Sequence, residues 1–290
     1  MMIMKLKGGL GNQMFQYALF LQLMENGRKV KMDEVNGFKN DPQRTPLLRQ
    51  TFGVKYETAS QKEIIQMTDS YMDLFSRVRR KLFGRKTLEY QQPEDGNFDP
   101  RVFEMEDAYL EGFFQSEKFF PSTTVRERLR REFALDPQKV LLSDLCWERY
   151  QQIRETNSVS IHIRRGDYLE PGTRETFGGI CTEEYYVTAV EYILEKYPDA
   201  VFYIFSNDKD WTAKHLTGER FITCELDETL PETADMFLMS QCRHHILANS
   251  SFSWWSAWLS DTPRKTVVAP KKWLNTADMH DIYTERMVRL

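Results

Sequence analysis

The stretch Ile3-Met4-Lys5-Leu6-Lys7-Gly8-Gly9-Leu10-Gly11-Asn12-Gln13 decides the class of fold. Residues 3–7 read as a short strand and residues 8–12 as a glycine-rich loop. Gln13 to Asn26 reads as a helix, because Met14, Tyr17, Ala18, Leu21 and Met24 recur at helical spacing. Gly27 stands where a glycine commonly ends a helix, and Lys29 to Asp33 supplies the next strand. Strand, loop, helix and strand in this order open an α/β fold.

The same alternation returns in the second half of the chain. Residues 159–163 read as a strand, 183–197 as a helix stopped by Pro198, and 201–205 and 221–225 as strands. A helix over 233–242, a strand-like run at 245–248, a helix over 251–259 and a last strand over 266–269 complete it. Strands alternating with helices predict a parallel sheet covered on both faces. From Gly37 to Tyr109 the pattern is weaker. Asp41-Pro42 and residues 92–97 read as turns. Residues 70–83 read as an amphipathic helix, and its basic cluster (Arg77, Arg79, Arg80, Lys81, then Arg85 and Lys86) is taken as a solvated face rather than an anion site. Residues 125–133 and 139–156 look helical and connect the halves. The expected division is 1–150 and 151–290, with a ligand cleft between two domains.

Composition narrows the class further. Of 290 residues, 41% are hydrophobic and 28% charged, which excludes disorder, collagen and coiled coil for the whole chain. Lys plus Arg number 39 against 43 Asp plus Glu. That balance argues against a general nucleic-acid or anionic-membrane binder while permitting a local anion site. No apolar run approaches the ~20 residues a membrane span needs, and Lys5 and Lys7 interrupt the start too early for a secretory signal. A cytoplasmic protein is expected, with a peripheral seat on the inner face of the membrane left open. The four cysteines form no CxxC pair and read as free, buried thiols. The five histidines show no HExxH spacing, which disfavours a structural zinc. A Mg²⁺ held by a carboxylate and a substrate phosphate stays open.

Three segments carry the chemistry. In Gly8-Gly9-Leu10-Gly11-Asn12-Gln13, Gly9 and Gly11 let backbone approach a ligand closely. Met14 replaces the third glycine of a dinucleotide fingerprint, and no Walker lysine follows. The side-chain amides of Asn12 and Gln13 both donate and accept, as sugar hydroxyls require; a tight turn without a ligand is the plain alternative. In His162-Ile163-Arg164-Arg165-Gly166-Asp167-Tyr168, a strand end presents two adjacent guanidiniums. Strand ends of this kind bind ligands, and paired arginines suit phosphate oxygens. The alternative is an Arg165–Asp167 ion pair and a core His162. In Asn249-Ser250-Ser251-Phe252-Ser253-Trp254-Trp255, a helix opens on small hydroxylated residues, an anion site by dipole and free amides or else ordinary capping by Ser250 or Ser251. The tryptophans read as core. A weaker fourth segment holds Asn207 and Asp208, which could read a ribose or base, with Asp210 as a helix cap.

In order, Gly-Gly-Leu-Gly-Asn-Gln-Met-Phe-Gln-Tyr, His-x-Arg-Arg-Gly-Asp-Tyr and Asn-Ser-Ser-Phe-Ser-Trp-Trp make the chain resemble glycosyltransferase family 11, the α-1,2-fucosyltransferases, from residue 8 to about residue 273. The resemblance implies a GT-B-like arrangement of two Rossmann-like domains facing across a cleft, the first on the acceptor side and the second binding the donor. It implies inverting, metal-independent transfer of fucose from GDP-β-L-fucose, a co-substrate rather than a cofactor, to the 2-hydroxyl of a terminal β-galactoside. Arg164 then matches the arginine on the donor β-phosphate, with Arg165 bracing it and His162 near the nucleotide. Ser250, Ser251 and Phe252, preceded by Asn249, match the loop at the diphosphate. Asn12 and Gln13 match the loop facing fucose. Asp167 is the candidate general base, with a structural pairing as its alternative. Another nucleotide sugar or linkage, or a sugar- or nucleotide-binding module without turnover, are the competing functions.

Overall fold

The computed structural model describes residues 1–224 and 233–290. They divide into two compact units, Met1–Glu132 and Phe133–Leu290. Each contains its own parallel sheet with helices, so the chain holds the two Rossmann-like units of a GT-B-like α/β protein.

In the first unit β1 (Met2–Lys5), β2 (Val30–Asp33), β3 (Glu89–Gln91) and β4 (Ala108–Glu111) form a sheet in the order β2-β1-β4-β3. Met2 lies opposite Val30 on one side and Ala108 on the other. The helix after β1 runs over Leu10–Glu25, and thirteen of its sixteen residues are buried. It starts three residues earlier than predicted. Its N-cap is Gly9, which makes no side-chain cap, so the sequence carried no polar start signal. The short strands β3 and β4 were not predicted. β3 alternates exposed, buried, exposed over only three residues, too few to show a period.

The helix predicted over 70–83 forms over Leu74–Phe83, four residues late, and a separate helix before it was not predicted. One helix, Gln61–Thr68, is closed by a Ser60–Glu63 capping box and ends at Asp69 in the left-handed region. A new helix, Leu74–Phe83, starts where Asp73 accepts from Ser76 N at 2.8 Å.

The second unit holds β5 (Asn157–Ile163), β6 (Ala200–Ser206), β7 (Phe221–Thr223), β8 (His244–Ile246), β9 (Val267–Ala269) and β10 (Met287–Arg289). They form one parallel sheet in the order β10-β9-β8-β5-β6-β7. β10 was not predicted, and the predicted end of the β7 strand at Glu225 lies outside the described residues. The helix expected over 139–156 is broken into Pro137–Val140 and Asp144–Glu155, because Ser143 caps a new start on Cys146 N. Both pieces pack against the Thr233–Gln241 helix, and the second also against β5. They therefore belong to the second unit, and the division falls after residue 132 instead of after 150.

Trp254 and Trp255 are fully buried. The Trp254 indole donates to Ile282 O at 2.8 Å, and Phe133 meets Trp255 edge-on at 5.5 Å. All four cysteines are free and buried. Among the described residues no helix is long and apolar enough to cross a membrane.

Backbone contact is closest at Gly37, where an added Cβ would lie 1.9 Å from Leu6 O at the end of β1. Gly37→Ala must displace that strand end. We expect it to lower stability by about 2 kcal/mol or more, measured by chemical denaturation; an unchanged midpoint would show that the turn yields freely.

Candidate functional site

Counted along the second unit, the strand order is 3-2-1-4-5-6, with β5 first and β8 fourth. The chain runs outward from β5 in one direction to β7, then returns to β8 on its other side. Open parallel sheets bind ligands beyond the carboxyl ends of the strands at this switch point. The segments following β5, β6 and β8 are residues 164–168, 207–208 and 249–252. Adjacent strands thus gather the three sequence segments of the second half, while the remaining one, the glycine-rich loop, belongs to the first unit.

The arginines are paired differently from the alternative of an Arg165–Asp167 ion pair. Arg164 Nη2 donates to Asp167 Oδ2 at 2.8 Å, and its guanidinium lies 5.8 Å from the Tyr168 ring centre. Arg165 Nε instead donates to Asp208 Oδ2 at 3.1 Å and sits 4.8 Å over the Trp211 ring. The Asn207 side chain separates the two pairs. Its Oδ1 accepts from Arg165 N at 2.8 Å and its Nδ2 donates to Asp167 Oδ1 at 3.3 Å. Asp208, not Asp210, caps the Lys209–His215 helix by accepting from Trp211 N at 3.0 Å. Asn207 and Asp208 are therefore engaged in shaping the turn that carries the arginines.

His162 is buried, with its ring 5.8 Å from Phe252. Burial, with Arg164 adding to it, pushes its pKa down to about 3, so it is a neutral imidazole at ordinary pH. Its Nδ1 is buried without a hydrogen-bond partner. Ser250 is the N-cap of the Ser251–Leu259 helix, accepting from Phe252 N at 3.3 Å. The Asn249 side chain is spent inside the protein: Nδ2 reaches Phe177 O and Trp273 O, and Oδ1 accepts from the Cys181 thiol. It anchors the loop rather than presenting an amide to a ligand.

In the first unit the glycine loop also lies at a switch point, since β4 is the neighbour of β1 across from β2. Gly8 has φ +76°, and a Cβ there would meet Asn12 Nδ2 at 2.6 Å. A Cβ on Gly9 would come within 3.3 Å of Arg44. Gly11 is buried in the first turn of the helix. Gln13 is fully buried, donating to Gly8 O and Thr45 O and accepting from Leu47 N at 2.8–2.9 Å. Its amide holds the loop and is closed to a sugar. Asn12 stays partly exposed and accepts from Gln115 Nε2 at 2.5 Å.

Several residues of these sites were invisible to sequence reasoning. Tyr168 stacks on Phe177 at 4.8 Å and donates to Asn249 O at 3.2 Å, tying the β5 loop to the β8 loop. Gln92 accepts from both Phe113 N and Phe114 N and so fixes the segment after β4. That segment carries Gln115, an exposed Phe113, and Phe114 at φ 53°. The one available signal was glutamine within the apolar first helix, where a buried amide must have partners; the polar run around Gln92 carried none. Among the described residues no three His, Cys, Asp or Glu gather where they could hold a metal ion.

The chain thus has two parallel α/β units, the second with an arginine pair and a serine-capped helix at its switch point. The chain belongs to glycosyl transferase family 11, whose model matches residues 1–288. It is 32% identical to an alpha-1,2-colitosyltransferase of Escherichia coli over 99% of this chain and 98% of that one. It is 31% identical to the O-antigen biosynthesis glycosyltransferase WbnK of Escherichia coli, covering 92% and 93%. It is 28% identical to the galactoside alpha-(1,2)-fucosyltransferase 1 of Rattus norvegicus over 87% of this chain and 62% of that one.

Two tests separate support from chemistry here. Gln13→Ala removes three part-buried hydrogen bonds to backbone and empties a buried site, and should lower stability by roughly 1–3 kcal/mol in chemical denaturation; a loss of activity at full stability would assign the amide to substrate. For His162, the unfolded state takes a proton near pH 6.5 that the folded state refuses until about 3. The unfolded state then binds more protons between these values, so stability falls as pH drops through that window. Going from pH 7 to pH 5 should remove ~2 kcal/mol on this account, and His162→Asn should flatten the slope. An unaltered slope would reject the buried neutral imidazole as its source.

Proposed function

We propose that this family 11 glycosyltransferase transfers L-fucose from GDP-β-L-fucose to the 2-hydroxyl of a terminal β-galactoside, with inversion and without a required metal. The observation that carries the reading is the strand order, which brings Arg164 and the start of the Ser251–Leu259 helix to one switch point. The names of the α-1,2-linking relatives add to it.

The chemistry follows from charge. The bond between fucose C1 and the β-phosphate oxygen breaks, and the electron pair leaves with GDP. A guanidinium and helix-start amides meet that charge in a fixed arrangement that needs no reorganisation. The sugar passes through an oxocarbenium-like state, the acceptor oxygen bonds C1 from the opposite face, and its proton goes to a base. We assign Arg164 to the β-phosphate, Arg165 to bracing it, and Ser250, Ser251 and Phe252 to the diphosphate. His162 lies beside them as an apolar, neutral wall. Asp167 has one oxygen on Arg164 and the other on Asn207, so its first role is to aim the arginine. In the first unit we assign Gly9 and Asn12 to the acceptor side, with Gly11 buried in the first turn of the helix that follows.

The 32% identity to a colitosyltransferase over nearly the whole chain favours one second reading. Colitose is L-fucose lacking the 3-hydroxyl, and the same diphosphate site would serve a GDP-colitose donor.

Product analysis decides between them. With GDP-fucose, a β-galactoside and chelator present, we expect an α-1,2-linked fucoside. Transfer only from GDP-colitose selects the second reading; linkage to another hydroxyl, or loss of activity in chelator, overturns the first. Arg164→Ala should lower kcat by about 10²–10³-fold, and Arg164→Lys should also be poor because a point charge lacks the planar fork. Asp167→Asn should weaken GDP binding together with turnover. Lost turnover at unchanged GDP affinity would instead make Asp167 the base.

A further inference from the structure

The Leu74–Phe83 helix is unlike every other long helix described in that none of its ten residues is buried. It is nevertheless strongly amphipathic. Leu74, Phe75, Val78 and Leu82 fall within one stripe at helical spacing, and all four face solvent. Phe75 is 78% exposed, Leu74 75% and Leu82 69%. Met72 before the helix and Phe83 at its end are 80% and 76% exposed. This apolar patch has nothing of its own unit upon it, and patches of this kind mark interaction sites.

The charge around the stripe says what it fits. From Leu74 to Leu88 the chain has six Arg and Lys and no carboxylate, although the whole protein is net −4. Arg79 and Arg80 turn back to Asp69 and pin the helix to the end of its predecessor. Arg77 and Lys81 lie on one flank of the stripe, and Arg85 and Lys86 continue past Gly84. The nearest carboxylates are committed. Asp73 caps the helix, Asp69 holds the two arginines and Lys86 N, and Glu89 faces Arg85 at 3.8 Å. An apolar stripe with cationic borders, presented by a helix lying on the surface, is the form that seats at the boundary between lipid headgroups and acyl chains.

We propose that residues 71–86 dock this enzyme on an anionic phospholipid surface, with Leu74, Phe75, Val78 and Leu82 entering the interface and Arg77, Lys81, Arg85 and Lys86 on the headgroups. The reading of the basic cluster as a plain solvated face is thereby replaced: a solvated face has no reason to expose Phe75, Leu82 and Phe83 together. Arg79 and Arg80 act differently, as the clamp that presents the helix. The proposal is independent of which sugar the enzyme transfers.

The test is co-sedimentation of the full chain with vesicles of phosphatidylglycerol and phosphatidylcholine, against vesicles of phosphatidylcholine alone. Binding is expected to the anionic vesicles, to weaken on raising the salt, and to be near absent on the neutral ones. Each neighbouring cation contributes about a fivefold factor in partitioning, so the double variant Arg77→Glu/Lys81→Glu should bind at least ~25-fold more weakly. Phe75→Ser/Leu82→Ser should lose binding as well. Both pairs are solvent-facing, so both variants should keep the wild-type melting temperature and activity on a soluble acceptor. Equal binding by wild type and both variants, or no binding to anionic vesicles at low salt, overturns the proposal. So does a concentration-dependent dimer abolished by Phe75→Ser/Leu82→Ser, which would make a second copy of the chain the occupant.

Discussion

Parallel strands cannot be joined by tight turns, and that constraint organises the second unit. Each strand must be followed by a crossover, so every strand end on one edge of the sheet opens into a loop. When the chain reverses its direction of growth beside β5, the loops after β5 and β8 splay apart and leave a crevice. Arg164 and the Ser250 cap come to it from positions more than eighty residues apart in sequence. The hydrogen bonding of β8 to β5 sets this meeting, and the Tyr168–Asn249 bond between the two loops adds to it.

Within that frame the arginine pair is kept from collapsing on itself by a division of carboxylates. Arg165 is held to Asp208 and laid over Trp211, while Arg164 is held by Asp167. Asn207 spans both. Guanidinium groups aimed in this way lose little freedom on meeting a phosphate, which is where a planar donor fork outperforms an ammonium. The same logic operates in the first unit with neutral groups. Gln13 and Gln92 each tie down backbone of a loop that has no regular structure of its own, so buried amides do for loops what ladder hydrogen bonds do for strands.

The surface helix shows the opposite use of sequence. Its apolar residues stabilise nothing within the unit, and its attachment rests on Arg79, Arg80 and Asp69. The exposed phenylalanines beside a cluster of cations are what the proposed lipid docking would account for.

Sequence alone determined the α/β class, most of the strand and helix order in the second half, the tryptophan core and the three segments singled out as candidate sites. These depend on local periodicity and on residue type, both written in adjacent positions. It placed Arg164, Asp167 and Ser250 in candidate sites but could not tell partner from neighbour: the pairing of Arg165 with Asp208 spans forty-three residues, and Gln13 looked available because its partners at Thr45 and Leu47 are distant. Strands β3, β4 and β10 were too short to show a period, and a glycine N-cap left the first helix start silent. What the tertiary structure decided was which side chains are already spent and which still face outward, because satisfaction of a polar group or burial of an apolar one is a property of the packed neighbours and not of the residue.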